Sequence, residues 1–458
     1  MALCRAGLRE YLVGNVGYQT RGAITMKRTS ALVCVLVLIA SAAWGRSLPT
    51  VEPEKVGLSS ERLQRIGEVL QEEIDQGRLP GAIVLIAREG EVAYFESFGL
   101  RDPASAAPMA NDAIFRIYSM TKPLVSVAAM ILMEEGRLQL ADPVAKFLPE
   151  FADVQVSVPK TDVFGKVTYA LAPPERPMTV QDLLRHTAGL GYGELTGNAA
   201  VREAYAEAGV FQPDGLPFEA RGLSPTDEVT GLAKAPLVHQ PGTVWEYSLA
   251  SDVLGRVVEQ ASGMRLGDFL EQRLFAPLGM VDTGFSVPQA DAARLAEPLA
   301  TDPATGAANA LIDVSAPPAN DSGGAGAVST ASDYALFAQM LLDGGELDGA
   351  RILSPTTVRL MASDHLGPKI AAPLTPGDLL LGTPGYTFGL GFAVREADGV
   401  AAVPGSKGEF MWAGYAGTYF WIDPEQELVG VLMTQAPGPS RAYYRRAIKQ
   451  LVYQAIVD

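Results

Sequence analysis

Residues 116–123 read RIYSMTKP, placing Ser119 and Lys122 three positions apart just ahead of the apolar run LVSVAAMILMEEG (124–136). On a helix, positions i and i+3 share a face, so Lys122 Nζ can reach Ser119 Oγ. Pro123 has no amide hydrogen and is tolerated only in a first helical turn, which starts the predicted helix close to the serine. A helix N-terminus favours a developing alkoxide and, with burial, disfavours a protonated lysine, leaving a neutral amine able to take the serine proton. Taken alone, the octet fits a capping serine and a surface lysine better than a nucleophile and its base. Two further segments bear on it: HQPGTVWEYSLASDVLG (239–255), with Tyr247 at a loop-to-helix boundary, and GEFMWAGYAGTYFWIDP (408–424), with Trp412-Ala413-Gly414 before a strand-like run.

Other chemistries find little support. No serine lies in a Gly-x-Ser-x-Gly elbow. The three histidines, His186, His239 and His365, are far apart and carry no ligand spacing, so a zinc hydrolase or a Ser-His-Asp triad is not indicated and each reads as structural. The glycines of 323–326 read as a tight turn, since no lysine accompanies them as in a phosphate loop.

The 458 residues carry a net charge of -16. From Met26 the chain runs MKRTSALVCVLVLIASAAWGRS, a basic start, an apolar run and small residues, which is the plan of a secretory signal peptide; residues 1–25 precede it without pattern. The run is too short to span a bilayer comfortably. Residues 1–45 hold five basic residues and one acidic (Glu10), so a mature chain without them carries -20. Such a chain is expected to be soluble, a poor partner for nucleic acid, and without stable membrane association once the signal is removed. Both cysteines, Cys4 and Cys34, fall in this segment, leaving no disulfide or thiol chemistry to the mature chain. The expected location is periplasmic or secreted.

The spacing predicts a helix over 58–76, a hairpin over 81–99, helices in 124–136 and 251–263, strands in 386–394, 417–423 and 427–435, and a closing helix over 440–457. Strands at both ends around a helical middle suggest an α/β domain from 46–122 and 327–458 with a mainly helical domain, 123–326, inserted.

SMTK with FRIY before it, LLRHTAGLGYG (183–193), PGTVWEYS, GGAGAVSTASDYALFAQMLL (323–342) and the Trp-Ala-Gly stretch together resemble the serine β-lactamase superfamily on its class C side. They are most like its family VIII carboxylesterases. The resemblance covers roughly residues 55–455, with five separated motifs in order. It implies the β-lactamase/D-Ala-D-Ala carboxypeptidase-like fold, an antiparallel sheet flanked by helices with an inserted helical domain. It also implies that Ser119 is the acylated nucleophile, Lys122 its proton acceptor, and Tyr247 a base whose phenolate needs cationic neighbours. A buried tyrosine with a satisfied hydroxyl is the other reading of Tyr247. The oxyanion hole would use the backbone N–H groups of Ser119 and Tyr415, with Gly414 allowing close approach to substrate.

Two departures separate activities. Where lactamases carry asparagine after the tyrosine and a lysine opening the third motif, this chain has Leu249 and Trp412. Both changes remove polar groups, so the expected substrate pocket is apolar and uncharged, favouring neutral acyl esters over anionic β-lactams. Trp412 also fits plain core packing. The resemblance therefore implies a carboxylesterase acting on a small-molecule ester through an acyl-enzyme, with no metal or organic cofactor. A β-lactamase, a D-alanyl peptidase or an acyltransferase of the same fold is the alternative, and a non-catalytic sensor the remote one.

Overall fold

A computed structural model describes residues 46–213 and 222–458, so the predicted signal peptide lies outside the described residues. The chain enters through helix α1 (Ser60–Asp75), capped by Ser59 Oγ accepting from Arg62 N, with Leu63, Ile66 and Leu70 on its buried face. Strands β1 (Gly81–Arg88) and β2 (Glu91–Asp102) follow as an antiparallel hairpin. Glu89 and Gly90 have φ of 54° and 81°, the two left-handed residues that a tight hairpin turn demands.

The sheet is completed from the far end of the chain. After the short β3 (Ala107–Pro108), its members are β4 (Tyr386–Phe388), β5 (Ala393–Arg395), β6 (Phe410–Ala413), β7 (Tyr419–Asp423) and β8 (Leu428–Thr434), in the spatial order β4-β5-β6-β7-β8-β1-β2-β3 with antiparallel pairing throughout. Every residue of β1 and β8 is buried, so helices cover both faces of the sheet centre. The closing helix α5 (Arg441–Tyr453) packs with α1 on the sheet, and α4 (Ala331–Leu342) packs on β1, β7 and β8. Between the two sheet segments lie α2 (Thr121–Glu134), buried from Thr121 to Leu132, and α3 (Ala250–Ser262), packed against it.

Two local expectations differ from what is found. The stretch 386–394 is a hairpin, not one strand, because Gly391 turns it at φ 94°, where a Cβ would lie 2.3 Å from Ser126 Oγ. The helical middle also contains a β-ribbon, Val156–Thr161 with Val167–Ala172. Its outward-facing residues include Val167 and Leu171, so no apolar face announces it in the sequence. Among the described residues no helix is long and apolar enough to cross a membrane.

Behind the site, Glu228 is buried with Oε2 accepting from Asn320 Nδ2 (2.9 Å) and Oε1 without a hydrogen-bond partner. Burial, then the charge of Asp252, pushes its carboxyl up to about 7 from 4.5. The folded state therefore holds a proton that the unfolded chain has released, and its stability falls as pH rises from about 4.5 to 7. Glu228→Gln keeps the acceptor and removes the titration. Thermal melts at pH 5, 6, 7 and 8 should show a shallower decline for the variant and a gain in midpoint at pH 8; an unchanged slope would refute this.

Candidate active site

Phe115 and Arg116 pair with Val328 and Ser329, and Ile117 N donates to Ala327 O (3.0 Å), bringing the chain to a sharp reversal at Tyr118. Tyr118 has φ 44°, a conformation costing a bulky residue about 1–3 kcal/mol. It is held there on three sides. The ring is buried among Ile114, Ile312, Val328 and Ala416; its hydroxyl accepts from Ile312 N (3.0 Å); its carbonyl accepts from Thr121 Oγ1 (2.6 Å). Ser119 follows in a 3-10 turn (Tyr118–Met120) that runs directly into α2, and Pro123 sits in that helix's first turn as the sequence predicts.

Lys122, 1% exposed, has three oxygens around Nζ: Gly324 O at 2.7 Å, Tyr192 OH at 3.0 Å and Ser119 Oγ at 3.3 Å. These match the three protons of an ammonium group, and no carboxylate is among them. An acid acts here through the backbone: Asp252 Oδ1, on α3, accepts from Gly324 N (3.0 Å) and Ser322 Oγ (2.6 Å), fixing the carbonyl that Lys122 uses. The glycines of 323–326 form the expected turn, and Gly323 and Gly324 are required by close approach to α3. A Cβ on Gly323 would lie 2.4 Å from Ser251 O, and one on Gly324 2.3 Å from Asp252 Oδ2.

Tyr247 OH lies 2.5 Å from Ser119 Oγ, and Lys122 Nζ sits 4.6 Å from the centre of the Tyr247 ring. The ring is wedged by His186 (5.1 Å), Tyr192 (5.2 Å) and Trp412 (5.4 Å between centroids). Burial, then the charge of Tyr247, pushes the Tyr192 phenol far up, so Tyr192 is a neutral hydroxyl here. Burial, then the Lys122 charge, pushes His186 well below its ordinary value; as a neutral ring its Nδ1 lies 3.1 Å from Ser248 Oγ. The sequence places Ser119, Lys122 and Tyr247 together, but Tyr192 and Gly324 complete the cluster and were not singled out. Their only signal was membership of the two glycine-containing segments 183–193 and 323–326.

Beside Ser119 opens a cleft of ≈ 70 Å³ whose walls include Leu195, Leu379, Leu380, the last residue of β6, Ala413, and the two that follow it, Gly414 and Tyr415. Gly414 is needed for sterics: a Cβ there would lie 2.4 Å from Ile117 O and 2.2 Å from Thr418 Oγ1. The absence of that atom lets β6 press against the segment that carries the serine. Leu249 and Trp412, expected to face substrate, do not line the cleft. Leu249 is 5% exposed at the start of α3, and Trp412 is fully buried against Tyr247 and Phe388 with its Nε1 lacking a partner. The strand pleat explains this, since Trp412 points to the face opposite its neighbour Ala413, which does line the cleft. The expectation of an uncharged pocket is also corrected: Arg441 and Arg445 of α5 border the cleft. Nothing in SRAYYRRAIKQ (440–450) distinguishes an inward arginine from a solvated one.

The profile of the family described as Beta-lactamase matches residues 66–453. Protein Rv1367c of Mycobacterium tuberculosis is 36% identical over 375 residues, 80% of this chain and 88% of that one. Esterase EstB of Burkholderia gladioli is 32% identical over 405 residues, 84% and 93% of the two chains. Among solved structures, EstCE1, described as a hydrolase with promiscuous acyltransferase activity, aligns with a TM-score of 0.68 at 32% identity, covering 86% of this chain and 99% of its own. The chain belongs to the β-lactamase family, with the fold its motifs implied.

Gly414→Ala should destabilise the protein by about 1–3 kcal/mol, the usual cost of overpacking a buried site. Ester turnover should fall more than stability accounts for, because the clash displaces the Ser119 segment. Denaturant melts and steady-state rates on the same samples check this, and a variant with wild-type values in both would refute it.

Proposed function

We propose that this chain is a carboxylesterase working through an acyl-enzyme on Ser119. The observation that carries the reading is that Ser119 Oγ meets Tyr247 OH at 2.5 Å and Lys122 Nζ at 3.3 Å at the edge of an open cleft. Tyr247, as phenolate beside the Lys122 ammonium, takes the hydroxyl proton as Oγ attacks the ester carbonyl. The backbone N–H groups of Ser119 and Tyr415 receive the oxyanion. Collapse expels the alcohol, which takes its proton from Tyr247, and water repeats the sequence to release the acid. Lys122 Nζ, 3.3 Å from Ser119 Oγ, shares this proton transfer with Tyr247 and stabilises whichever neighbouring oxygen is anionic.

The names of two relatives, Esterase EstB and the hydrolase EstCE1, support esters as the substrate class. The cleft volume supports a short acyl group. Leu249 and Trp412, where lactamases hold amide and carboxylate, offer substrate no polar atom, which argues against efficient β-lactam turnover. Acyl transfer to an alcohol follows the same first half-reaction, and EstCE1 is described as having it as a promiscuous activity. We also place the activity outside the cytoplasm, on the strength of the signal pattern from Met26.

With p-nitrophenyl butyrate, Ser119→Ala should lose at least ~10³-fold in kcat and Tyr247→Phe about 10²–10⁴-fold, in the range for removal of a general base. A fluorophosphonate should add to Ser119 in the wild type alone, as read by mass spectrometry. Chromogenic cephalosporin turnover matching or exceeding the ester would sink the esterase reading, and no turnover with no adduct would favour the sensor. N-terminal sequencing of protein recovered from the periplasm or medium should begin near residue 45.

A further inference from the structure

The β-ribbon Val156–Thr161 with Val167–Ala172 ends in the turn Asp162-Val163-Phe164-Gly165-Lys166, where Val163 is 93% and Phe164 92% exposed. The turn itself is closed by hydrogen bonds. Asp162 N donates to Lys166 O (3.0 Å), Gly165 N donates to Asp162 O (3.0 Å), and Asp162 Oδ1 accepts from Phe164 N (2.8 Å) and Lys166 N (2.9 Å). Two apolar side chains are therefore held outward, on strands of six residues that carry the tip about 20 Å from the base. The next most exposed large apolar side chain among the described residues, Leu171, belongs to the same ribbon. Exposed Lys160 and Lys166 flank the turn, and neither forms an ion pair among the described residues.

A complement to this knob lies on the same part of the molecule. Helices Ala199–Glu207 and Pro225–Lys234 border a groove of ≈ 480 Å³ whose apolar lining includes Ala204, Ala208, Leu223 and Gly231. Glu207 and Asp227 bring carboxylates to it, against one lysine, Lys234. Glu207 is exposed and, like the ribbon lysines, has no ion-pair partner among the described residues. The ribbon stands beside the other end of the first of these helices: Tyr169 OH accepts from Ala199 N (3.3 Å), and Ser157 Oγ donates to Oδ1 of the N-cap, Asn198 (3.2 Å). Knob and groove thus belong to opposite ends of one nine-residue helix. With both halves of a contact so close together, a two-fold axis can satisfy each twice in a closed pair.

We propose that this face joins two copies of the chain, the Val163-Phe164 tip of each entering the other's groove while Lys160 and Lys166 meet Glu207 and Asp227. Apolar burial supplies the attraction, and the charges set partner and register. A lipid surface is the rival occupant of an exposed Val-Phe pair. The second copy is favoured because the groove carries the charge opposite to the ribbon's, whereas a chain of net charge -16 is repelled by an anionic bilayer.

Sedimentation velocity over a hundredfold range of protein concentration should show the wild type passing from monomer to dimer. Phe164→Asp should raise the dimer dissociation constant at least tenfold. All the side chains replaced are exposed, so melting points should stay with that of the wild type. The charges are tested by exchange: Glu207→Lys and Lys160→Glu/Lys166→Glu should each weaken dimerisation at least tenfold, and an equimolar mixture of the two should associate more tightly than either alone. In the mixed pair each ribbon meets a groove of opposite sign, a recovery that misfolded chains cannot imitate. A wild type monomeric throughout, a dimer unmoved by Phe164→Asp, or a mixture no more associated than its components would overturn the proposal. So would a monomer that floats with phosphatidylcholine vesicles and is released by Phe164→Asp, which would give the tip to a membrane.

Discussion

A lysine ammonium in a dry interior with no carboxylate against it is the constraint on which the site turns. Lys122 is satisfied by three oxygens drawn from separate parts of the chain: Ser119 Oγ one turn away, Tyr192 from the 183–193 segment, and the carbonyl of Gly324. Leaving any one donor unmatched at this depth would cost about 1–3 kcal/mol, so the three segments are bound to converge. The acid that balances the charge is set one peptide unit back, where Asp252 holds Gly324 N and Ser322 Oγ. Moved into contact with Nζ, a carboxylate would cancel much of the field that the ammonium sets up at its neighbouring oxygens. Held behind a backbone amide, it organises the loop and leaves that field pointed at Ser119 and Tyr247.

The aromatic packing serves the same end by different means. Tyr247 is clamped by His186, Tyr192 and Trp412, tilted ring pairs worth about 0.5–1.5 kcal/mol each beyond the area they bury. A phenol so wedged is held against the serine. Trp412 therefore bears on the site through the tyrosine it packs against, although it does not line the cleft. Gly414, two residues further along, does the complementary job of letting the strand close on Ile117.

Much of this was legible in the sequence. Helix α1, the first hairpin, α2, α3, β7, β8 and α5 all lie where periodicity and capping residues put them, because each has a local pattern that its packing reinforces. The spacing of Ser119 and Lys122 gave their common face, and the family motifs supplied Tyr247. What the sequence hid is long-range. Nothing local says that Tyr192 bends towards Lys122, that a glycine-rich turn delivers a carbonyl, or that the first and fifth residues of a basic-looking helix turn two charges inward. Leu249 and Trp412 sit where the motifs put them, but which face a residue shows is settled by strand pleat and helix start, and neither lines the cleft.

The pairing of β1 with β8 carries a consequence for how the molecule comes into being. Thr434 Oγ1 bonds to Gly81 O across 353 positions, and β1 and β8 are neighbours at the sheet's centre. During synthesis, β1 and β2 must wait as a bare apolar hairpin until nearly the whole chain has been made. Such late closure slows folding and leaves a sticky edge exposed in the interval, a state that chaperones commonly shield. One wall of the cleft, Ala413 to Tyr415, and both of its arginines arrive with the last fifty residues, so a chain stopped short of them would hold Ser119, Lys122 and Tyr247 and still lack one side of the cleft.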